Sequence, residues 1–169
     1  MVMEILKYGS RVLSTASAPV TEFNGGLQDL VKRMIETMYA APGVGLAAPQ
    51  VGVPLRLAVI DPSVGEDPAK LIVIANPEIE AADGEQVKEE GCLSVPGFYA
   101  EVARPSRVFV TGLDLNGNKV EYEGTELIAR AFCHEMDHLN GKFFLDHLSP
   151  IKRELMRRRI RKMMQAGEW

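Results

Sequence analysis

Residues 134–138 read His134-Glu135-Met136-Asp137-His138, a pentapeptide whose chemistry needs a helix. Positions i and i+4 share one helical face, so both imidazoles can reach a single metal ion there. Glu135 lies beside them, where a carboxylate can take a proton from metal-bound water. The flanking residues suit such a helix. Thr125 stands where an N-cap belongs, and Asn140-Gly141 supplies a left-handed stop after Leu139. Leu127, Ile128, Ala131, Phe132, Glu135 and Leu139 recur at helical spacing, an apolar stripe interrupted by one carboxylate. A buried glutamate is costly unless a partner or a function holds it. The bland alternative is two ordinary histidines on a helix that also carries a glutamate.

At 169 residues the chain is expected to form one catalytic domain, large enough to build a core without disulfides. No apolar run approaches the roughly 18–20 residues that a membrane span needs. The N-terminal Met1-Val2-Met3-Glu4-Ile5 shows neither a secretory nor a transit pattern, and Cys92 and Cys133 are too few for a disulfide framework. The expected compartment is the cytoplasm. Charge is uneven. Residues 149–169 hold seven basic and two acidic residues, a balance of +5, so with −4 for the whole chain residues 1–148 carry −9. An acidic body and a basic tail imply two surfaces with different partners.

Apolar spacing predicts a helix over Leu27–Ala40 after the Gly25-Gly26 turn, broken by Pro42-Gly43-Val44-Gly45. Strands are predicted at Leu55–Asp61, Leu71–Asn76, Val87–Glu90, Phe98–Val102, Arg107–Leu113 and Val120–Tyr122, with Asn116-Gly117 as a hairpin turn. Val64–Ala69 reads as an exposed turn. A C-terminal helix follows Ser149-Pro150, from about Ile151 to Gln165. The fold class is therefore α+β, with antiparallel strands packed around a central HExxH helix and a C-terminal helix.

Two histidines do not close a catalytic metal site, which takes a third protein ligand and leaves one position for water. The metzincin pattern would need a histidine at position 144, which is Phe144. Glu154 lies within the basic tail, and His147 has no favourable helical geometry relative to His138. Cys92, at the end of a predicted strand beside Gly91, offers a thiolate; it also fits a small buried hydrophobe. Cys133 points about 100° away from His134 around the helix and reads as core.

Three segments together resemble the peptide deformylase family: Gly43-Val44-Gly45-Leu46-Ala47-Ala48-Pro49-Gln50 (GxGxAAxQ), Glu90-Gly91-Cys92-Leu93-Ser94 (EGCLS) and His134–His138 (HExxH). They stand in the family's order and spacing, without departure at any motif position. The resemblance implies a metal site of Cys92, His134 and His138, with His147 unassigned. It implies a hydrolase that removes the formyl group from the N-terminal formylmethionine of new polypeptides and releases formate. Glu135 would be the general base. Gln50 through its side-chain amide and Leu93 through its backbone N–H would stabilise the oxyanion.

By family position, Val44, Leu127 and Ala131 are candidates for an apolar methionine pocket, with Tyr99 nearby; Leu127 and Ala131 also fit plain core. Gly43 and Gly45 would let the Val44 backbone approach an extended peptide, and Gly91 would form the opposite wall. Glu90 and Arg104 would pair to brace the cysteine loop. The donor set suits Zn²⁺ by ligand type, the family works with Fe²⁺, and Ni²⁺ or Co²⁺ fit too. The basic C-terminal helix is expected to touch the ribosome, and the chain to be a monomer with no membrane contact. A zinc peptidase acting on internal bonds and a non-enzymatic metal-binding module are the competing classes.

Overall fold

Asn24 begins the first long element: its Oδ1 accepts the Leu27 N–H at 3.1 Å and caps α1 (Gly25–Ala40). The helix thus starts two residues before the position its apolar spacing predicts. The computed structural model describes residues 1–169. After α1 come β1 (Gly45–Ala47), β2 (Leu57–Ile60), β3 (Ile72–Asp83), β4 (Gln86–Cys92), β5 (Val95–Arg104), β6 (Arg107–Leu113) and β7 (Lys119–Thr125). Two helices close the chain, α2 (Leu127–Leu139) and α3 (Pro150–Gln165).

A five-stranded antiparallel sheet has the order β1-β2-β3-β6-β7, and β4 and β5 form a separate two-stranded ribbon. β2 reads Leu-Ala-Val-Ile without a polar residue because both of its faces are covered. Leu57 and Val59 join α1 residues Val31, Met34 and Met38, whereas Ala58 and Ile60 join Ala129, Phe132 and Cys133 of α2. A third apolar cluster ties Val95, Phe98 and Val102 of β5 to Phe143, Phe144 and Leu145 and to Ile160 of α3. The HExxH helix is thereby enclosed by the sheet on one side and the ribbon on the other, as the fold class predicts.

Several boundaries differ from expectation for identifiable reasons. β3 runs past Asn76-Pro77 to Asp83 because register shifts between Ala75 and Glu78, and again between Ile79 and Ala81, absorb the proline. Asn76 has φ of 51° and bonds the Val20 backbone with both side-chain heteroatoms. Thr125 is not the N-cap of α2: it pairs with Arg107 as the last residue of β7. Glu126, at φ 51°, takes the cap position without a side-chain bond, and its carbonyl accepts from Gln86 Nε2 at 2.8 Å. β1 is a strand that the glycine-rich segment did not predict. Asn116-Gly117 does turn the β6–β7 hairpin, with Gly117 at φ 80°. No helix is long and apolar enough to cross a membrane.

Candidate active site

One turn of α2 separates His134 from His138, and their Nε2 atoms face each other at 3.2 Å. Cys92, the last residue of β4, brings its sulfur to 3.2 Å from His138 Nε2. The three donor atoms lie within 4.8 Å of one another. Tetrahedral ligands at ordinary metal–nitrogen and metal–sulfur distances sit about 3.3–3.6 Å apart, so the donor set fits one divalent cation. The local charge agrees. Burial alone would lower the His134 pKa, yet charge on Cys92 and Glu135 and the bond to Glu90 raise it well above the ordinary value. His138 is held well below by burial and by the charge on His134.

Glu90, two residues before Cys92, organises the wall behind the histidines. Its Oε2 accepts from His134 Nδ1 at 2.8 Å and from Arg104 Nη2 at 2.7 Å, while Oε1 accepts from Arg130 Nη1 at 2.6 Å and from Arg104 Nε at 3.1 Å. Burial would raise the Glu90 pKa, but the bonds from His134 and Arg104 hold it far below the usual carboxylate range. Arg104 also reaches Asp137 at 2.9 Å. The expected Glu90–Arg104 brace is present, within a larger network that sequence reasoning did not foresee. Arg130, a cation on an otherwise buried helix face, was the available signal.

Glu135 is buried beside the donor cluster, and its Oε1 has no hydrogen-bond partner in the protein. Burial pushes its carboxyl up to about 7, with Glu90 and Asp137 adding to the rise against the charge on His134. Gly45 explains its placement. A Cβ at Gly45 would stand 3.0 Å from the Glu135 carboxyl carbon and overlap Oε2. The glycine therefore makes room for the carboxylate, in addition to any approach of substrate along β1.

Gln50 is buried in a short 3-10 turn, Ala48–Val51. Its Oε1 accepts the Ala47 N–H at 2.9 Å, which directs Nε2 to Ser94 Oγ at 3.1 Å and to Cys92 Sγ at 3.8 Å. Ser94, fully buried, also donates its N–H to Cys92 Sγ at 3.4 Å, a role no sequence argument assigned. Leu93 packs against Gly43, where a Cβ would come within 2.8 Å of Leu93 Cδ1. The GxGxAAxQ and EGCLS segments are thus fitted to each other.

A cleft of about 320 Å³ opens from these groups. Val44, Gly45, Gln50, Gly91, Cys92, Leu93, Tyr99, Leu127, Ala131, His134 and Glu135 all line it. Ala131 is buried, but Leu127 is 48% exposed and Tyr99 64%, so neither is core. Gly91 lets the Tyr99 ring pack against β4, because a Cβ there would meet the ring at 2.5 Å. Cys133 is buried in the sheet-facing cluster, as expected. His147 lies outside the donor set and bonds Asp137 Oδ2 at 2.8 Å; Glu154 pairs with Arg161 on α3.

Comparisons with known proteins agree with this geometry. A family profile described as polypeptide deformylase matches residues 2–154. A peptide deformylase of Thermodesulfovibrio yellowstonii is 52% identical over 160 residues, covering 95% of this chain and 97% of that protein. One from Acidobacterium capsulatum is 50% identical over 169 residues, covering 100% and 99%. The crystal structure of a peptide deformylase from Legionella pneumophila superposes with a TM-score of 0.91 at 46% identity, covering 99% and 98%. That of the Thermus thermophilus enzyme does so at 0.91 with 40% identity, again covering 99% and 98%. By profile, identity and fold, this chain belongs to the peptide deformylase family, metal-dependent hydrolases that remove the N-formyl group from newly made peptides.

Proposed function

We propose that this chain hydrolyses the formyl amide of N-terminal formylmethionine with Cys92, His134 and His138 as the metal ligands and Glu135 as general base. The observation that carries the reading is the convergence of three donor atoms beside one buried, unpartnered carboxylate at the end of a cleft. Held by Cys92, His134 and His138, a divalent cation would supply the positive charge that makes water a nucleophile near neutral pH. Glu135, with its pKa pushed up to about 7, accepts a proton from the attacking water and then delivers it to the departing amine. Gln50 Nε2, already aimed at Cys92, and the Leu93 backbone N–H donate to the oxygen that gains negative charge. Each such donor is typically worth about 3–4 kcal/mol of transition-state stabilisation.

Val44, Leu127, Ala131 and Tyr99 receive the methionine side chain, between walls formed by Gly45 and Gly91. The formyl carbon carries only hydrogen, so it approaches Glu135 and Cys92 more closely than an acetyl carbon can. One methyl in an apolar pocket is worth about 1–3 kcal/mol, so strong rejection of acetyl comes from misplacing its carbonyl. The expected products are formate and a free amino terminus from formyl-Met peptides, with acetyl-Met peptides scarcely cleaved and casein untouched. Endoproteolysis would favour the peptidase reading instead.

Fe²⁺ is the proposed metal in the cell, with Zn²⁺, Ni²⁺ or Co²⁺ accommodated by the same donors. Anaerobic purification with metal analysis alongside the formyl-peptide assay tests that choice. The chain is further proposed to act as a single catalytic domain, a cytoplasmic monomer that meets nascent polypeptides through transient ribosome contact. α3 supports the last point: Lys152, Arg158, Arg159, Arg161 and Lys162 are exposed, as are Ile151 and Leu155. Deleting residues from Lys152 onward should weaken ribosome co-sedimentation at low salt.

A further inference from the structure

We propose that Asp61 and Tyr39 are positioning residues for the substrate, which hold the Gly43-Val44-Gly45 wall of the cleft in place from behind; the inference rests on the catalytic reading above. Asp61 is fully buried, and every donor to its carboxylate is neutral, an expensive state for a charged group. Oδ1 accepts from the Ser63 N–H at 2.8 Å and from the Ser63 hydroxyl at 2.7 Å. Oδ2 accepts from the Gly65 N–H at 3.0 Å and from the Tyr39 hydroxyl at 2.5 Å. Burial would raise the Asp61 pKa, yet these bonds bring it below the ordinary value. The carboxylate is kept charged although it lines no part of the cleft.

Three bonds close a circuit that runs through the cleft wall. Tyr39, on the last turn of α1, donates to Asp61; the Asp61 N–H donates to the Val44 carbonyl at 2.8 Å. The Gly43 N–H returns to α1, donating at 2.9 Å to the carbonyl of Met38, the neighbour of Tyr39. β1 is the outer strand of its sheet, and its ladder with β2 ends at the pair Gly45–Ile60. The Asp61–Val44 bond adds one rung where the wall begins. Successive residues of a strand turn their backbone groups to opposite edges. With the Val44 carbonyl on the β2 side, Gly45 presents its N–H and C=O to the open edge beside the cleft. The end of a ladder opens more easily than its middle, and Tyr39 backs this one from α1. Loosening the circuit lets the wall shift against the peptide, while Cys92, His134 and His138 keep their places on β4 and α2.

Tyr39→Phe removes only the hydroxyl and tests this in the metal-loaded enzyme with formyl-Met-Ala-Ala. KM should rise about three- to tenfold, the scale of one net hydrogen bond, with kcat within about twofold of wild type and metal content unchanged. Asp61→Asn, whose amide cannot accept at both positions, should raise KM similarly. The double variant should raise it no further than the larger single change, because the two residues act as one unit. Ser63→Ala removes another bond to the same carboxylate but none to α1, and should leave KM as in the wild type. An unchanged KM in Tyr39→Phe, even with a lower melting temperature, overturns the proposal, as does an equal rise in Ser63→Ala. If Asp61→Asn does not fold, the contrast between Tyr39→Phe and Ser63→Ala decides. Failure of the wild type to release formate from the peptide would instead remove the catalytic reading beneath it.

Discussion

Glu90 holds Nδ1 of His134 at 2.8 Å through a carboxylate oxygen, and this single bond sets the chemistry of the imidazole. A carboxylate only accepts, so Nδ1 carries a proton, and the ring is held with Nε2 toward His138 and Cys92. The arginines on Glu90 keep it charged and unable to turn away. The orientation of the His134 ring is thus fixed by residues contributed from β4, β5 and α2.

Glu90→Gln should cost about 3–5 kcal/mol of stability at neutral pH, since it leaves Arg130 buried without its counter-charge and Arg104 with Asp137 alone. The folded-state pKa of Glu90 is depressed, so its contribution is present above the ordinary value of 4.5 and fades as pH falls below it. Denaturant unfolding at pH 7 and at pH 4 should show the gap between variant and wild type narrowing in acid.

Glu135 has the opposite sign. Its pKa is raised from 4.5 to about 7, so in metal-free protein its ionisation opposes folding increasingly as pH rises through that interval. Metal-free Glu135→Gln should be more stable than metal-free wild type at pH 8, by up to about 3 kcal/mol, and no more stable below pH 4.5. Thermal unfolding in chelator across that range checks it. The metal-loaded variant should retain its cation and lose about 10²–10⁴-fold in turnover, the usual worth of a positioned base.

Gly45→Ala tests the close approach of β1 to the HExxH helix. The added Cβ overlaps the Glu135 carboxylate, so the side chain must move. Turnover of formyl-Met-Ala-Ala should fall by at least about tenfold, the scale of displacing a positioned acid–base group. Metal content should be unchanged, because no donor atom lies within that contact. Loss of metal with activity would place the damage at the ligands instead.

The two cysteines should behave differently. Cys92→Ala should abolish stoichiometric metal binding, measured by metal analysis after dialysis. Cys133→Ala should keep metal and turnover, with the modest loss of stability expected for a buried side chain in the sheet-facing cluster.

Features set by local spacing were legible in the chain before any fold was known. His134 and His138 must share a helical face, Arg107–Leu113 alternates and forms the strand its pattern predicts, and Asn116-Gly117 turns a hairpin. Family motifs added Cys92, Gln50 and Leu93. How these groups meet is a matter of long-range packing. Cys92 and His138 are 46 residues apart in the chain, and their 3.2 Å separation depends on how the ribbon packs against α2. The same holds for Arg130, a cation on a buried helix face whose partner Glu90 comes from β4. Leu127 has the periodicity of a core residue yet faces a cleft, because helical spacing specifies which side chains align and not what lies opposite them. Thr125 had the chemistry of a cap, but pairing with Arg107 claimed its backbone for the sheet, and long-range hydrogen bonding overrode the local preference.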